Sequence, residues 1–142
     1  MTTDRLTELR DLITATAADI DTRRSQQRDL LPALRATPTP ATALAEALGI
    51  SRAAFYKNGY NAIQPLPGVV GDAGPEELLE RLRKLTAERV ELEATMTALL
   101  TERNALIEAA LAAEDGPTWA EIRERAGISE PRISHLNRRT SA

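Results

Sequence analysis

The chain has 142 residues, a formal net charge of −3 and only 3% aromatic residues, so a large sandwich or barrel core is excluded. Its apolar residues are mostly Leu, Ala and Ile, which suits an all-α fold. It has no Cys, which excludes disulfides and thiolate zinc sites, and neither a signal peptide nor a window of ~18 apolar residues is present, so a soluble, cytoplasmic protein with no membrane association is expected.

Residues 1–36 are expected to form a first long helix. Leu6, Leu9, Ile13, Thr16, Ile20, Arg23, Gln27, Leu30 and Leu34 recur at alternating steps of three and four, the spacing of a coiled-coil seam. The seam is apolar at its ends and polar in its middle. Pro32 falls late in the run and is expected to kink or end the helix near Leu31, leaving Leu34 to a short following turn.

Residues 37–60 have a different pattern. TPTPATALAEALGISRAAFYK reads as two short helices joined by a tight turn. Gly49 supplies a positive φ, Ile50 points inward, and Ser51 caps the second helix. Leu44, Leu48 and Phe55 are the expected buried residues. Residues 61–75, rich in Gly and Pro, read as a linker.

Residues 76–114 are expected to form a second long helix. Leu78, Leu82, Leu85, Arg89, Leu92, Met96, Leu99, Arg103, Leu106 and Ala110 form an unbroken heptad seam. Pro75, Glu76 and Glu77 make a good start, and Asp115-Gly116-Pro117 a good stop. At ~1.5 Å per residue the helix is roughly 55 Å long and needs a partner along its stripe. Arg89 and Arg103 at seam positions read as register devices or snorkelling side chains.

Residues 115–142 repeat the plan of 37–60. Aligning Gly49 with Gly127 sets LAEALGISRAAF against IRERAGISEPRI. Ile122, Ala126, Ile128 and Ile133 then match Leu44, Leu48, Ile50 and Phe55, and Ser129 matches Ser51. Trp119 is expected to pack the first helix of this unit onto the long helix. The fold class is therefore all-α: two long helices forming an antiparallel coiled-coil hairpin, each followed by a small helix-turn-helix unit, as an internal duplication. Antiparallel pairing is favoured because residues 59–75, fully stretched, span only roughly 55 Å, barely the return length a parallel pair requires.

Both short segments resemble the helix-turn-helix of bacterial transcription regulators. LAEALGISRAAFYK is similar to TetR-type and resolvase-type readers, and TWAEIRERAGISEPRISHLNRR to repressor-type and sigma-region-4-like segments. The small residue usual at the helix crossing is Ala45 in the first copy but Arg123 in the second. The late apolar residue of the reader is Leu136 in the second copy but Asn58 in the first. The resemblance implies that each second helix enters the major groove of double-stranded DNA. The implied contacts are Ser51, Arg52, Ala54, Tyr56, Lys57 and Asn58 in the first unit. In the second they are Ser129, Arg132, Ser134, His135, Asn137, Arg138 and Arg139. Arg52 and Arg132 suit guanine, while Lys57, Arg138 and Arg139 suit phosphate.

Charge is distributed unevenly along the chain. Residues 72–114 hold ten acids against five bases, whereas residues 37–71 hold one acid against two bases. The acidic excess therefore lies on the second long helix and away from the first short unit. The pattern carries no catalytic triad, phosphate loop, metal constellation, cofactor motif or small-molecule pocket, so a non-enzymatic, binding role is expected. The expectation is a sequence-specific transcriptional regulator acting as a pseudo-dimer, or as a homodimer through the long helices. The alternative is a coiled-coil adaptor or inhibitor that binds another protein through its helix-turn-helix-like ends.

Overall fold

The computed structural model describes residues 2–66, 73–113, 116 and 118–128. Every regular element among them is helical: α1 (Thr2–Arg35), α2 (Ala41–Leu48), α3 (Arg52–Lys57), a 3₁₀ turn (Tyr60–Ala62), α4 (Pro75–Ala112) and α5 (Trp119–Ala126). None of these helices is long and apolar enough to cross a membrane. The chain divides into two compact units, one comprising Asp19–Leu92 and the other Met1–Ala18 with Glu93–Ala142.

In the unit formed by Asp19–Leu92, the second half of α1 packs with α2, α3 and the first half of α4. Leu30, Leu31, Ala33 and Leu34 of α1 share a core with Leu44, Ala45, Ala47 and Leu48 of α2, Phe55 of α3, and Leu78 and Leu82 of α4. Rising numbers on α1 meet falling numbers on α4: Arg23 lies 3.7 Å from Glu88, and Gln27 donates to Thr86 at 2.8 Å. Further along the stripe, Leu85, Arg89 and Leu92 are half-buried.

Pro32 does not end α1, which runs on to Arg35. Proline in a helix interior costs about 3 kcal/mol. Leu30, Leu31 and Leu34 are all buried around it, and each buried leucine returns about 1.5–3 kcal/mol, so packing outweighs the lost hydrogen bond. The Pro32 carbonyl stays in use, accepting from Ala36 N at 3.2 Å and from Leu66 N at 2.9 Å. That second bond lays the segment after the 3₁₀ turn along the end of α1. Arg35 fastens the 3₁₀ turn itself by donating to the Asn61 carbonyl at 2.9 Å.

In the other unit, Leu6 of α1, Ile107 and Ala110 of α4, and Ile122 and Ala126 of α5 form the core, with Leu106, Leu111 and Ile128 against it. Met96, Leu99 and Arg103 of the α4 stripe are half-buried. Trp119 differs from expectation. It opens α5 with 40% of its surface exposed, and the stripe it heads is covered only from Ile122 onward. Thr118 caps α5 by accepting from Glu121 N at 3.2 Å. Across this unit Arg5 grips Glu102 with both Nε and Nη2, the latter at 2.8 Å. Such a two-point fork is geometrically selective even at a partly exposed site.

The α2 helix ends at Gly49, whose φ of 72 lies in the left-handed region. A Cβ placed there would stand 3.1 Å from Thr86 Cγ2. Gly49→Ala is therefore expected to lose about 1–2 kcal/mol from backbone strain alone, measured as a lower midpoint in urea unfolding. The Arg5–Glu102 fork gives a second expectation. Hydrogen bonding from Arg5, with its positive charge, holds the Glu102 carboxyl below its usual range against the opposing effect of burial. A folded-state pKa below the unfolded one contributes stability above the usual carboxylate pKa, and this is lost as pH falls through the folded value. Glu102→Gln should lower the melting temperature near neutral pH and flatten its decline on acidification, as thermal unfolding across the acid range will check.

Candidate nucleic-acid interface

The local sequence builds α2, its turn and α3 almost residue by residue. Ile50 N donates to the Ala45 carbonyl and Gly49 N to the Glu46 carbonyl, both at 3.0 Å. These two bonds close the end of α2 as a Schellman motif, which requires a left-handed residue at the position Gly49 occupies. The chain then turns through Ser51, whose Oγ accepts from Ala54 N at 3.0 Å and starts α3. One turn on, Phe55 is fully buried and fixes the rotation of α3 about its axis.

With Phe55 inward, Ser51, Arg52, Tyr56, Lys57 and Asn58 are exposed, and Ala54 is half-buried beside Phe55. Arg52 and Tyr56 are one helical turn apart, and the Arg52 guanidinium lies 5.8 Å from the centre of the Tyr56 ring. Stacking on an aromatic ring restrains a long, flexible side chain. No acidic residue occurs between Ala47 and Leu66. Glu46, the last carboxylate before that stretch, lies 3.6 Å from Arg83 of α4.

The helix is shorter than the sequence pattern implies. It ends at Lys57, and Asn58 is its C-cap, donating from its backbone to the Ala54 carbonyl at 2.9 Å. The apolar residue expected late in the reader helix is supplied instead by Tyr60, which follows the positive-φ Gly59 and stacks on Phe55 with ring centres 5.6 Å apart. The signal for this was present in the sequence, since Asn-Gly marks a turn and an aromatic residue follows it.

One polar cluster ties the turn to the long helices. Gln27 of α1 and Thr86 of α4 meet at 2.8 Å, and the Thr86 hydroxyl donates to the Ala47 carbonyl in the last turn of α2. Arg89 of α4 donates to the adjacent Leu48 carbonyl at 3.3 Å. The end of α2 is thereby held on two successive carbonyls, and α3 inherits its position from them.

Of the second expected reader, Ser129, Arg132, Ser134, His135, Asn137, Arg138 and Arg139 lie outside the described residues. What precedes them is described. α5 ends at Gly127 with φ 67, and Gly127 N donates to the Arg123 carbonyl at 3.0 Å. Arg10 of α1 donates to the Glu124 carbonyl at 3.1 Å. Among the described residues no group of three or more His, Cys, Asp or Glu could hold a metal ion.

Thr86→Val removes the hydroxyl that both Gln27 and the Ala47 carbonyl use. Leaving buried polar groups unsatisfied costs about 1–3 kcal/mol, so this variant should unfold correspondingly earlier in urea. Thr86→Ser, which keeps the hydroxyl, should recover most of that loss in the same measurement. No protein family, curated protein or solved structure matches the chain, so the function is argued from this geometry.

Proposed function

We propose that the chain is a sequence-specific double-stranded DNA-binding protein, a transcriptional regulator, in which α2 and α3 form a helix-turn-helix carried on an antiparallel coiled coil of α1 and α4. The observation that carries this reading is the outward side of α3. Arg52, Tyr56 and Lys57 stand exposed on a helix whose rotation is set by buried Phe55, in a stretch without acids from Ala47 to Leu66. Arg suits the paired acceptors of guanine in the major groove, and Lys suits a phosphate. The protein acts by binding and performs no chemistry of its own.

The backbone at the two glycines supports a second unit of the same kind. Gly49 has φ 72 and ψ 28, and Gly127 has φ 67 and ψ 34. Each follows an eight-residue helix with two buried apolar residues four positions apart, Leu44 and Leu48 in one case and Ile122 and Ala126 in the other. On this reading the segment after Gly127 is the second reader, and Arg132, Arg138 and Arg139 are its expected DNA contacts.

The six residues of α3 span roughly 9 Å, which covers about three base-pair steps. A short half-site is therefore expected. Sequences selected from a random duplex pool, followed by anisotropy titrations at several salt concentrations, test the reading. Arg52→Ala should cost about 1–3 kcal/mol and relax preference at one base pair, whereas Lys57→Ala should weaken all duplexes and lower the salt slope by about one. Failure to bind any duplex at low salt would falsify the proposal.

A further inference from the structure

In the unit formed by Asp19–Leu92, three rings and one guanidinium are linked in series from the core to the outward side of α3. Phe55 is fully buried, and its ring stacks on Tyr60 with centres 5.6 Å apart. The Tyr56 ring meets Phe55 edge-on, at 5.7 Å and an interplanar angle of 90°. Edge-to-face contact is one of the favoured arrangements of two aromatic rings, so buried Phe55 sets the attitude of Tyr56. Tyr56 is itself 45% exposed, and the Arg52 guanidinium lies 5.8 Å from its ring centre. Arg52 is the first residue of α3 and stands exposed. A long side chain at the start of the helix is thereby coupled to the core through one aromatic residue a turn further on. Glu46, the carboxylate nearest to Arg52 in the sequence, lies 3.6 Å from Arg83 of α4 instead.

We propose that Tyr56 is the positioning residue for Arg52, and that its ring sets how sharply the chain distinguishes guanine at the base pair Arg52 meets. The proposal rests on the reading of α3 as a groove-reading helix and adds which residue gives that helix its selectivity. Arginine pairs with guanine at two points only when its planar fork is aligned with the base edge. A side chain free in water loses rotamer freedom on taking up that pose, which weakens binding by about two- to tenfold. A guanidinium already laid on a fixed ring gives up less, and an exposed cation–π contact favours that pose by about two- to fivefold. The gain applies only where the fork meets guanine. At another base pair the two-point partner is absent, and a restrained side chain swings less readily to a different acceptor. The ring therefore acts on the difference between duplexes more than on affinity as such. The ring face performs this role and the Tyr56 hydroxyl does not, which separates it from a phosphate contact made through that hydroxyl.

The test compares two duplexes by anisotropy at fixed salt. One is the duplex that selection yields, and the other is the same duplex with the guanine pair replaced. Tyr56→Leu should narrow the ratio of the two affinities about two- to fivefold, and Tyr56→Phe, which keeps the ring without the hydroxyl, should restore it. In an Arg52→Ala background Tyr56→Leu should narrow the ratio no further, a coupling that loss of packing alone would not produce. In the chain without DNA, nitrogen relaxation at Arg52 Nε–H should show more motion in Tyr56→Leu than in the native chain or Tyr56→Phe. Native discrimination in Tyr56→Leu, discrimination in Tyr56→Phe as poor as in Tyr56→Leu, equal Arg52 motion in all three chains, or an equal loss without Arg52 overturns the proposal. Each of those results leaves DNA binding by α3 standing. A native chain that binds no duplex overturns that reading and the role of Tyr56 with it, so titration of the native chain tells the two failures apart.

Discussion

The hydroxyl of Thr86 is the point on which the arrangement around α3 depends. It receives the Gln27 amide from α1 and gives its proton to the last turn of α2, so three helices meet at one atom. Gln27 is 5% exposed and would be an unfavourable residue in an apolar seam without that partner. Gly49 is seated against the methyl of the same residue, and a Cβ there would crowd it at 3.1 Å. A polar pair buried among leucines contributes less net stability than two leucines would, but it has one satisfied geometry, and leucines have many. It therefore sets where α2 ends, and through Gly49 and Ser51 where α3 begins.

The same physical problem, an exposed row of carbonyls at the end of a short helix, is solved alike in the two units. In one, Arg89 of α4 donates to Leu48; in the other, Arg10 of α1 donates to Glu124. In both cases the donor comes from a long helix and the short helix ends at a left-handed glycine, directly after Leu48 in one and three positions after Glu124 in the other. A cation at a helix C-terminus also meets the negative end of the helix dipole, so the contact is favourable twice over. The details differ. α2 closes through a Schellman pair of bonds and α5 through the single bond to Arg123, so the α2 end is the more tightly closed of the two.

Much of this was legible in the sequence because the roles are local. A left-handed turn calls for glycine, a helix start calls for a hydroxyl, and a seam calls for apolar residues at steps of three and four. Gly49, Ser51, Leu44, Leu48, Phe55 and the long runs of α1 and α4 follow from those rules. Where competing terms decide, the rules fail. Pro32 reads as a stop because its own cost is local, whereas the leucine burial that overrides it is tertiary. Trp119 reads as core because periodicity names a face without saying how far the cover extends. Tyr60 was hidden for the opposite reason, since it stands at the last position before the stretch that reads as linker, although its ring completes the packing of Phe55. Arg89 reads as a register device in the α4 seam, but its function is visible only when the Leu48 carbonyl is placed beside it.

The net charge of −3 bears on this surface less than it first suggests. Charges in water interact appreciably only within a screening length of about 8–10 Å at physiological salt, so a partner approaching α3 responds to the charges nearest it and not to the chain's total. The acids concentrate on α4, and several are engaged there by neighbouring arginines, as Glu77 is by Arg81 and Glu80 by Arg83. Glu46, the carboxylate nearest in sequence to α3, faces Arg83 as well. From Ala47 to Leu66 the chain then offers Arg52 and Lys57 with no opposing group. Attraction of an anion is therefore local to the surface where such cations stand, and a scaffold whose other charges are answered within it favours selective engagement over loose binding.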